Sequence, residues 1–231
     1  MLMKKEGMVC PICGAALDME NEYRCSRFPI CTYQMPRNTS FDTKKNAYIV
    51  FDLETTGLDR RSGRIIEIGA VKVQENQIVD TFSMLLNPGF TQNNLPIYIS
   101  SRITEITGIT NEELEDKPYE QEGVSKFLDW SSGYDILVGH NIDSFDIPFL
   151  KSACKRYADP FPYRYSVDTL KLAKQIGLQK KGAVINNKQP TLAKYLGFTY
   201  NAHRASDDAK ACFKVLQGLS EIQNPVLLPI L

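Results

Sequence analysis

The chain has 231 residues with 27 basic and 27 acidic side chains, so its formal charge is zero and no bulk attraction draws it to a polyanion. Hydrophobic residues make up 43% and charged residues 23%, the balance of a soluble globular protein, which excludes a disordered or fibrous chain. Its longest apolar runs fall far below the roughly 20 residues of a spanning helix, and no apolar signal core follows Lys4 and Lys5, so the expectation is a cytoplasmic protein with no membrane role.

Four of the six cysteines crowd into the first 31 residues as two pairs, Cys10 with Cys13 and Cys25 with Cys31. Without a secretory signal, such crowding points to a metal before disulfides. Four thiolates complete tetrahedral Zn²⁺ and leave no open position, so the expected ion is structural; free surface thiols are the alternative. Residues 1–35 are therefore expected to form a small zinc module, and the polar stretch 36–46 a linker. Cys154 and Cys212 lie in apolar helical patterns and are expected in the core.

From residue 47 the pattern alternates. Short β-branched and aromatic runs at 48–52, 64–74 and 77–87, with Glu75-Asn76 between the last two, predict a three-stranded antiparallel meander. A helical period follows at 119–131 and a buried strand at 136–139. The remainder predicts a helix at 144–157, a strand at 164–167 and helices at 169–176, 191–196 and 206–222. A meander followed by alternating elements makes an α/β domain, a mixed sheet flanked by helices, over 47–231.

Three acidic segments sit where such a fold carries chemistry. Asp52 and Glu54 end the first apolar strand two residues apart, so both carboxylates project from one face, where a hard cation such as Mg²⁺ or Mn²⁺ would relieve their repulsion. Surface acids at a strand end are the plainer reading. Asp143 and Asp146 follow a buried strand, and Asp207 and Asp208 open the last helix. Strand ends and helix starts are the usual place for active groups in open α/β sheets. For isolated acids there, N-capping is the alternative, and it is the expectation for Asp143.

Two resemblances add to this reading. Cys10-Pro11-Ile12-Cys13-Gly14 with Cys25-Ser26-Arg27-Phe28-Pro29-Ile30-Cys31 resembles the C-terminal zinc fingers of bacterial type I DNA topoisomerases, modules that contact single-stranded DNA. Tyr23, Phe28 and Tyr33 would supply stacking faces, and Arg24, Arg27 and Arg37 phosphate partners, unless the aromatics simply cover the zinc. Asp52-x-Glu54, His140-Asn141-x-x-x-Phe145-Asp146 and His203-x-Ala205-x-x-Asp208 resemble, in order and spacing, the three exonuclease motifs of the DEDD superfamily. The branch is the histidine one, which includes the proofreading epsilon subunit of bacterial DNA polymerase III. The connecting segments 65–71, 107–110 and 167–170 are similar as well.

That resemblance implies an RNase H-like fold and a 3′→5′ exonuclease releasing nucleoside 5′-monophosphates from single-stranded or frayed DNA ends. It implies that Asp52, Glu54, Asp146 and Asp208 hold two Mg²⁺ or Mn²⁺ and that His203 is the general base. Arg204 stands where the tyrosine branch carries its tyrosine, and the interval from His203 selects Asp208 over Asp207. Thr55, Thr56, Leu58 and Asn141 correspond to positions that meet the terminal nucleotide. His140 is expected to be a buried, hydrogen-bonded side chain. Lys180, Lys181 and Lys188 either guide the strand or belong to a solvated loop, and the apolar tail 226–231 either docks a partner or returns to the core. No polymerase segment is recognisable, so proofreading would require a replication or repair partner in trans. An exoribonuclease and a non-catalytic nucleic-acid-binding adaptor are the alternatives.

Overall fold

The computed structural model describes residues 15, 17–18, 24–25, 27, 30, 41–91 and 93–230. Near the start, β1 (Leu17–Asp18) pairs antiparallel with β2 (Arg24–Cys25). Of the expected zinc ligands, Cys10, Cys13 and Cys31 lie outside the described residues, and only the backbone of Cys25 lies within them.

The main sheet is mixed. β3 (Tyr48–Thr55), β4 (Ile65–Gln74) and β5 (Gln77–Leu85) form the expected antiparallel meander. Glu75 and Asn76 turn the β4–β5 corner with φ of 49° and 60°, the left-handed pair of a tight hairpin. β6 (Ile136–Gly139) joins β3 in parallel, β7 (Tyr165–Asp168) joins β6 in parallel, and β8 (Leu228–Pro229) closes the edge antiparallel to β7. The order is β5-β4-β3-β6-β7-β8.

The helices are α1 (Ser101–Thr107), α2 (Asn111–Glu115), α3 (Glu120–Trp130), α4 (Asp146–Tyr157), α5 (Thr169–Ile176), α6 (Gln189–Tyr195) and α7 (Ala205–Ile222). The sequence pattern gave no sign of α1, α2 or β8. The apolar tail returns to the domain: Leu227 is buried, β8 pairs with β7, and the Ile230 amide donates to the Arg164 carbonyl.

Alternation along β3 splits the core. Tyr48 and Val50 pack with Val71, Val73 and residues of α5, α6 and α7, while Ile49, Phe51 and Leu53 pack with α3 and α4 on the opposite face. Phe127 anchors the second face, with ring centroids 5.8 Å from Phe51 and 5.6 Å from Phe82. Burying such a ring stabilises the fold by about 2–3 kcal/mol. Cys154 and Cys212 are buried, one in each cluster. Phe41, inside the stretch expected as a linker, is also core: it packs edge-on against Tyr48 and its amide donates to the Pro225 carbonyl.

Candidate active site

The parity that puts Tyr48 and Val50 against α7 puts Asp52 and Glu54 on that face as well. On the neighbouring strand Asp52 pairs with Gly69 and Glu54 with Glu67. Gly69 is required there: a Cβ would lie 2.0 Å from the Ala205 carbonyl carbon and 2.1 Å from the Ser206 nitrogen. Its bare backbone lets the start of α7 rest directly on the sheet, which carries Asp208 to Asp52 and Glu54. One carboxylate oxygen from each of these three acids lies within 4.8 Å of the others. Asp207 is not in this group, as the spacing from His203 predicted.

Glu67 pins the same segment. It is 1% exposed, accepts the Ala205 amide at 3.1 Å, and pairs with Arg204 at 3.2 Å. Asp208 itself is held on every side. Its Oδ1 accepts from the Tyr200 hydroxyl at 2.8 Å and from Gln189 Nε2 at 3.1 Å, and its Oδ2 accepts the His203 amide at 2.6 Å. That last bond bends His203 into the left-handed region, φ 71°, leaving its exposed ring on the cleft that Asp52, Glu54, Asp146 and Asp208 line. Histidine is among the few non-glycine residues enriched in this conformation.

Asp146 opens α4 and is 3% exposed; its Oδ1 accepts the Leu53 amide at 3.1 Å, tying helix to strand between the two β3 acids. The loop before it is shaped by Asp168, which caps α5 through the Leu170 amide and also accepts the Asn141 amide at 3.1 Å. Asn141, at φ 63°, thereby faces the same cleft. His140 bonds Thr169 Oγ1 at 2.9 Å and the backbone of Asn187. Burial pushes its ring down to about 4, with help from the charge of Lys174, so it is neutral near pH 7. It is the hydrogen-bonded side chain expected from the sequence, placed in the wall of the cleft.

The electrostatics ask for cations. Burial pushes Glu54 up to about 8, reinforced by Asp208, Glu67 and Asp146. Burial, and then Asp146, Asp208 and Glu54, hold Asp52 well above the carboxylate range; Asp146 and Asp208 are also raised, again by burial first. Arg204 is already spent on Glu67. A buried set of carboxylate oxygens with so little compensating charge fits hard divalent ions of the Mg²⁺ or Mn²⁺ kind.

Other sequence expectations fare differently. Asp143 does not cap α4, whose N-cap residue Phe145 makes no side-chain cap bond; it accepts from Ser166 Oγ at 2.5 Å and pairs with Lys171 at 2.6 Å instead. The Thr55 hydroxyl donates to the Gly57 carbonyl and Thr56 Oγ1 accepts the Arg64 amide, so both hydroxyls are used to shape the turn after β3, while Leu58 is 86% exposed. Lys188 lines a cleft adjoining the acids, whereas Lys180 and Lys181 do not. The sequence pattern assigned no site role to Tyr200, Gln189 or Lys174, nor to Glu67 and Asp168, which stand in the connecting segments 65–71 and 167–170. Glu67 did carry a signal, since a lone acid inside the apolar run 65–71 must find a buried partner.

Comparison with known proteins agrees with this geometry. The model of the exonuclease family matches residues 49–216. The chain is similar to the DNA polymerase III PolC-type proteins of Caldanaerobacter subterraneus subsp. tengcongensis, 39% identical over 180 residues, and of Thermotoga maritima, 36% identical over 192. These stretches cover 76% and 82% of this chain but only 12% and 13% of those proteins. In structure it is similar to the zinc-bound complex of E. coli ExoI with single-stranded DNA, at a TM-score of 0.68 and 17% identity, covering 78% of this chain and 41% of that one. The apo form of Exonuclease I gives a TM-score of 0.65 at 18% identity, over 78% of this chain and 43% of that one. The sheet and helices thus have the RNase H-like exonuclease fold, and the chain belongs to the exonuclease family of the DEDD superfamily.

Proposed function

We propose that the protein removes nucleoside 5′-monophosphates from single-stranded or frayed 3′ ends of DNA, using two Mg²⁺ or Mn²⁺ held by Asp52, Glu54, Asp146 and Asp208. The observation that carries this is the meeting of all four acids and His203 around one cleft. Two bound ions would supply positive charge to the scissile phosphate and to the departing 3′ oxygen. The protein's own work is to place the reacting groups and to accept a proton. His203, exposed at the mouth of the cleft, takes the proton of the attacking water, and its backbone bond to Asp208 fixes it relative to the acids. Asn141 and the turn at Thr55, Thr56 and Leu58 are proposed to seat the terminal nucleotide, Leu58 by apolar contact and the threonines through backbone.

DNA is favoured over RNA because both the PolC-type relatives and the ExoI complex are DNA proteins by name. The PolC-type name supports a role beside a DNA polymerase in replication or repair. For the rest of the chain, we propose residues 1–35 as a C4 zinc finger with Cys10, Cys13, Cys25 and Cys31 on one Zn²⁺, 36–46 as a linker that Phe41 ties to the core of the domain, and 47–231 as the exonuclease domain. Among the described residues no helix is long and apolar enough to cross a membrane.

The test is a time course with 5′-labelled single-stranded DNA, duplex DNA with a recessed 3′ end, and RNA of the same sequence, each with Mg²⁺, Mn²⁺ or EDTA. A metal-dependent ladder shortening from the DNA 3′ end, abolished by Asp52→Ala and reduced by orders of magnitude in His203→Ala, is expected. Faster loss of RNA would move the substrate to RNA; no cleavage by folded, metal-loaded protein would leave a binding module. Zinc content measured with and without residues 1–35 tests the finger separately.

A further inference from the structure

A groove of about 440 Å³ lies against α2, between the loop from β5 to α1 and the segment that enters α3. It shares no lining residue with the catalytic cleft or with the cleft that adjoins it. Phe90, Tyr98 and Tyr119 line it beside Pro88 and Pro96, and the three rings are 50%, 70% and 52% exposed. The ring centroids of Phe90 and Tyr119 lie 6.3 Å apart. Aromatic side chains gathered in solvent and edged by polar groups mark an interaction surface rather than core.

The walls are fixed by their own hydrogen bonds. The Asn87 amide donates to the Pro118 carbonyl at 2.8 Å and the Glu120 amide to the Asn87 carbonyl at 3.1 Å, which joins the loop to the start of α3. The Ile97 amide donates to the Gly89 carbonyl at 2.9 Å, and Asn111 Oδ1 accepts the Ile99 amide at 2.8 Å. With these backbone groups paired, a chain lying in the groove would be held by side-chain contact and not by a strand ladder. Polyproline II geometry suits such a site, because it needs no ladder and lays proline rings on aromatic faces with little entropy to lose. The charge of the groove narrows the choice further. Glu112 and Glu115 line it, no lysine or arginine does, and neither carboxylate forms an ion pair among the described residues. That sign repels the phosphates of a nucleic-acid strand, whose stacking platforms lie in positive grooves, and complements a basic peptide.

We infer that this groove docks an extended, proline-containing, basic segment of a partner protein, its prolines lying on Phe90, Tyr98 and Tyr119 and its lysine or arginine meeting Glu112 and Glu115. The inference does not rest on the exonuclease reading, since none of these residues lines the cleft of the acids. Truncating aromatic anchors of an interface weakens binding by about tenfold or more. Two exposed charge pairs together are worth about three- to tenfold, and salt screens them.

Phage displaying random twelve-residue peptides are panned on the full chain after depletion on Phe90→Ala/Tyr98→Ala, and the leading sequence is synthesised with a fluorescein label for anisotropy. Enriched sequences should carry proline together with lysine or arginine. The labelled peptide should bind the aromatic double variant at least about tenfold more weakly. It should bind Glu112→Gln/Glu115→Gln about three- to tenfold more weakly at 0.15 M salt, and that gap should close at 1 M salt. Exchanging the peptide's own basic residues for glutamate should weaken its binding to the parent protein by at least as much, a comparison that needs no variant to fold. Cleavage rate and Tm should be the same in all three proteins. Absence of enrichment, enrichment of acidic or proline-free sequences, or equal binding by the parent and the aromatic variant would overturn the docking site. A labelled oligothymidylate, measured in the same way with EDTA, should bind all three proteins equally; weaker DNA binding by the aromatic variant would assign the groove to nucleic acid and overturn the peptide.

Discussion

Replacing Glu67 with alanine tests whether the start of α7 is held to the sheet as the structure indicates. The carboxylate is 1% exposed and serves two partners 137 and 138 residues away, Arg204 and the Ala205 amide. Ala205 is fully buried, so its amide would be left without an acceptor, a loss of about 1–3 kcal/mol. The side chain of Arg204 is 40% exposed, so the ion pair is screened and adds no more than about 1 kcal/mol. Glu67→Ala should therefore lose about 1–4 kcal/mol in urea unfolding followed by circular dichroism, equivalent to roughly 2–16 °C in Tm. Because this segment carries both His203 and Asp208, turnover at saturating Mg²⁺ should fall at least about tenfold. Glu67→Gln keeps an acceptor for the amide and should lose only about 1 kcal/mol. An alanine variant within about 0.5 kcal/mol of the parent and with full turnover would refute the reasoning.

Two further outcomes follow from the site. Glu54 is pushed up to about 8 in the folded protein against an ordinary value of 4.5, and Asp52, Asp146 and Asp208 are raised as well. Between those values the folded state binds more protons than the unfolded one, so this contribution is present below about pH 4 and is lost as pH rises toward 8. Melting curves in EDTA should show that decline, and Mg²⁺ or Mn²⁺ should oppose it most at the alkaline end; a metal effect independent of pH would contradict the assignment of these acids. Tyr200→Phe removes one of the two side-chain donors to Asp208 Oδ1, and loss of such an orienting partner weakens metal binding by about 10–100-fold. The Mg²⁺ concentration giving half-maximal turnover should rise by at least about tenfold with partial recovery at saturation, and an unchanged metal titration would show that Gln189 and the His203 amide suffice.

Strand period, motif order and short-range spacing are properties of neighbouring residues, and these were legible in the sequence. The period of two along 48–54 determined that Asp52 and Glu54 share a face, and the interval from His203 selected Asp208, because both relations lie within a single element or turn. The helices α1 and α2 were not legible: at seven and five residues they are too short to show a period. They are held by the Ser100 and Thr110 caps, with Ile109 and Leu114 packed around Ile66. The cap expected of Asp143 failed for a related reason, since Ser166 and Lys171, 23 and 28 residues on, compete for its carboxylate. What only the tertiary structure decided is how the acids are brought together and oriented. Gly69 admits α7, Glu67 fastens it, Tyr200 and Gln189 aim Asp208, and Lys174 reaches the cleft from α5. Each of these depends on contacts between elements remote in the chain, and such contacts leave no local period or spacing to read.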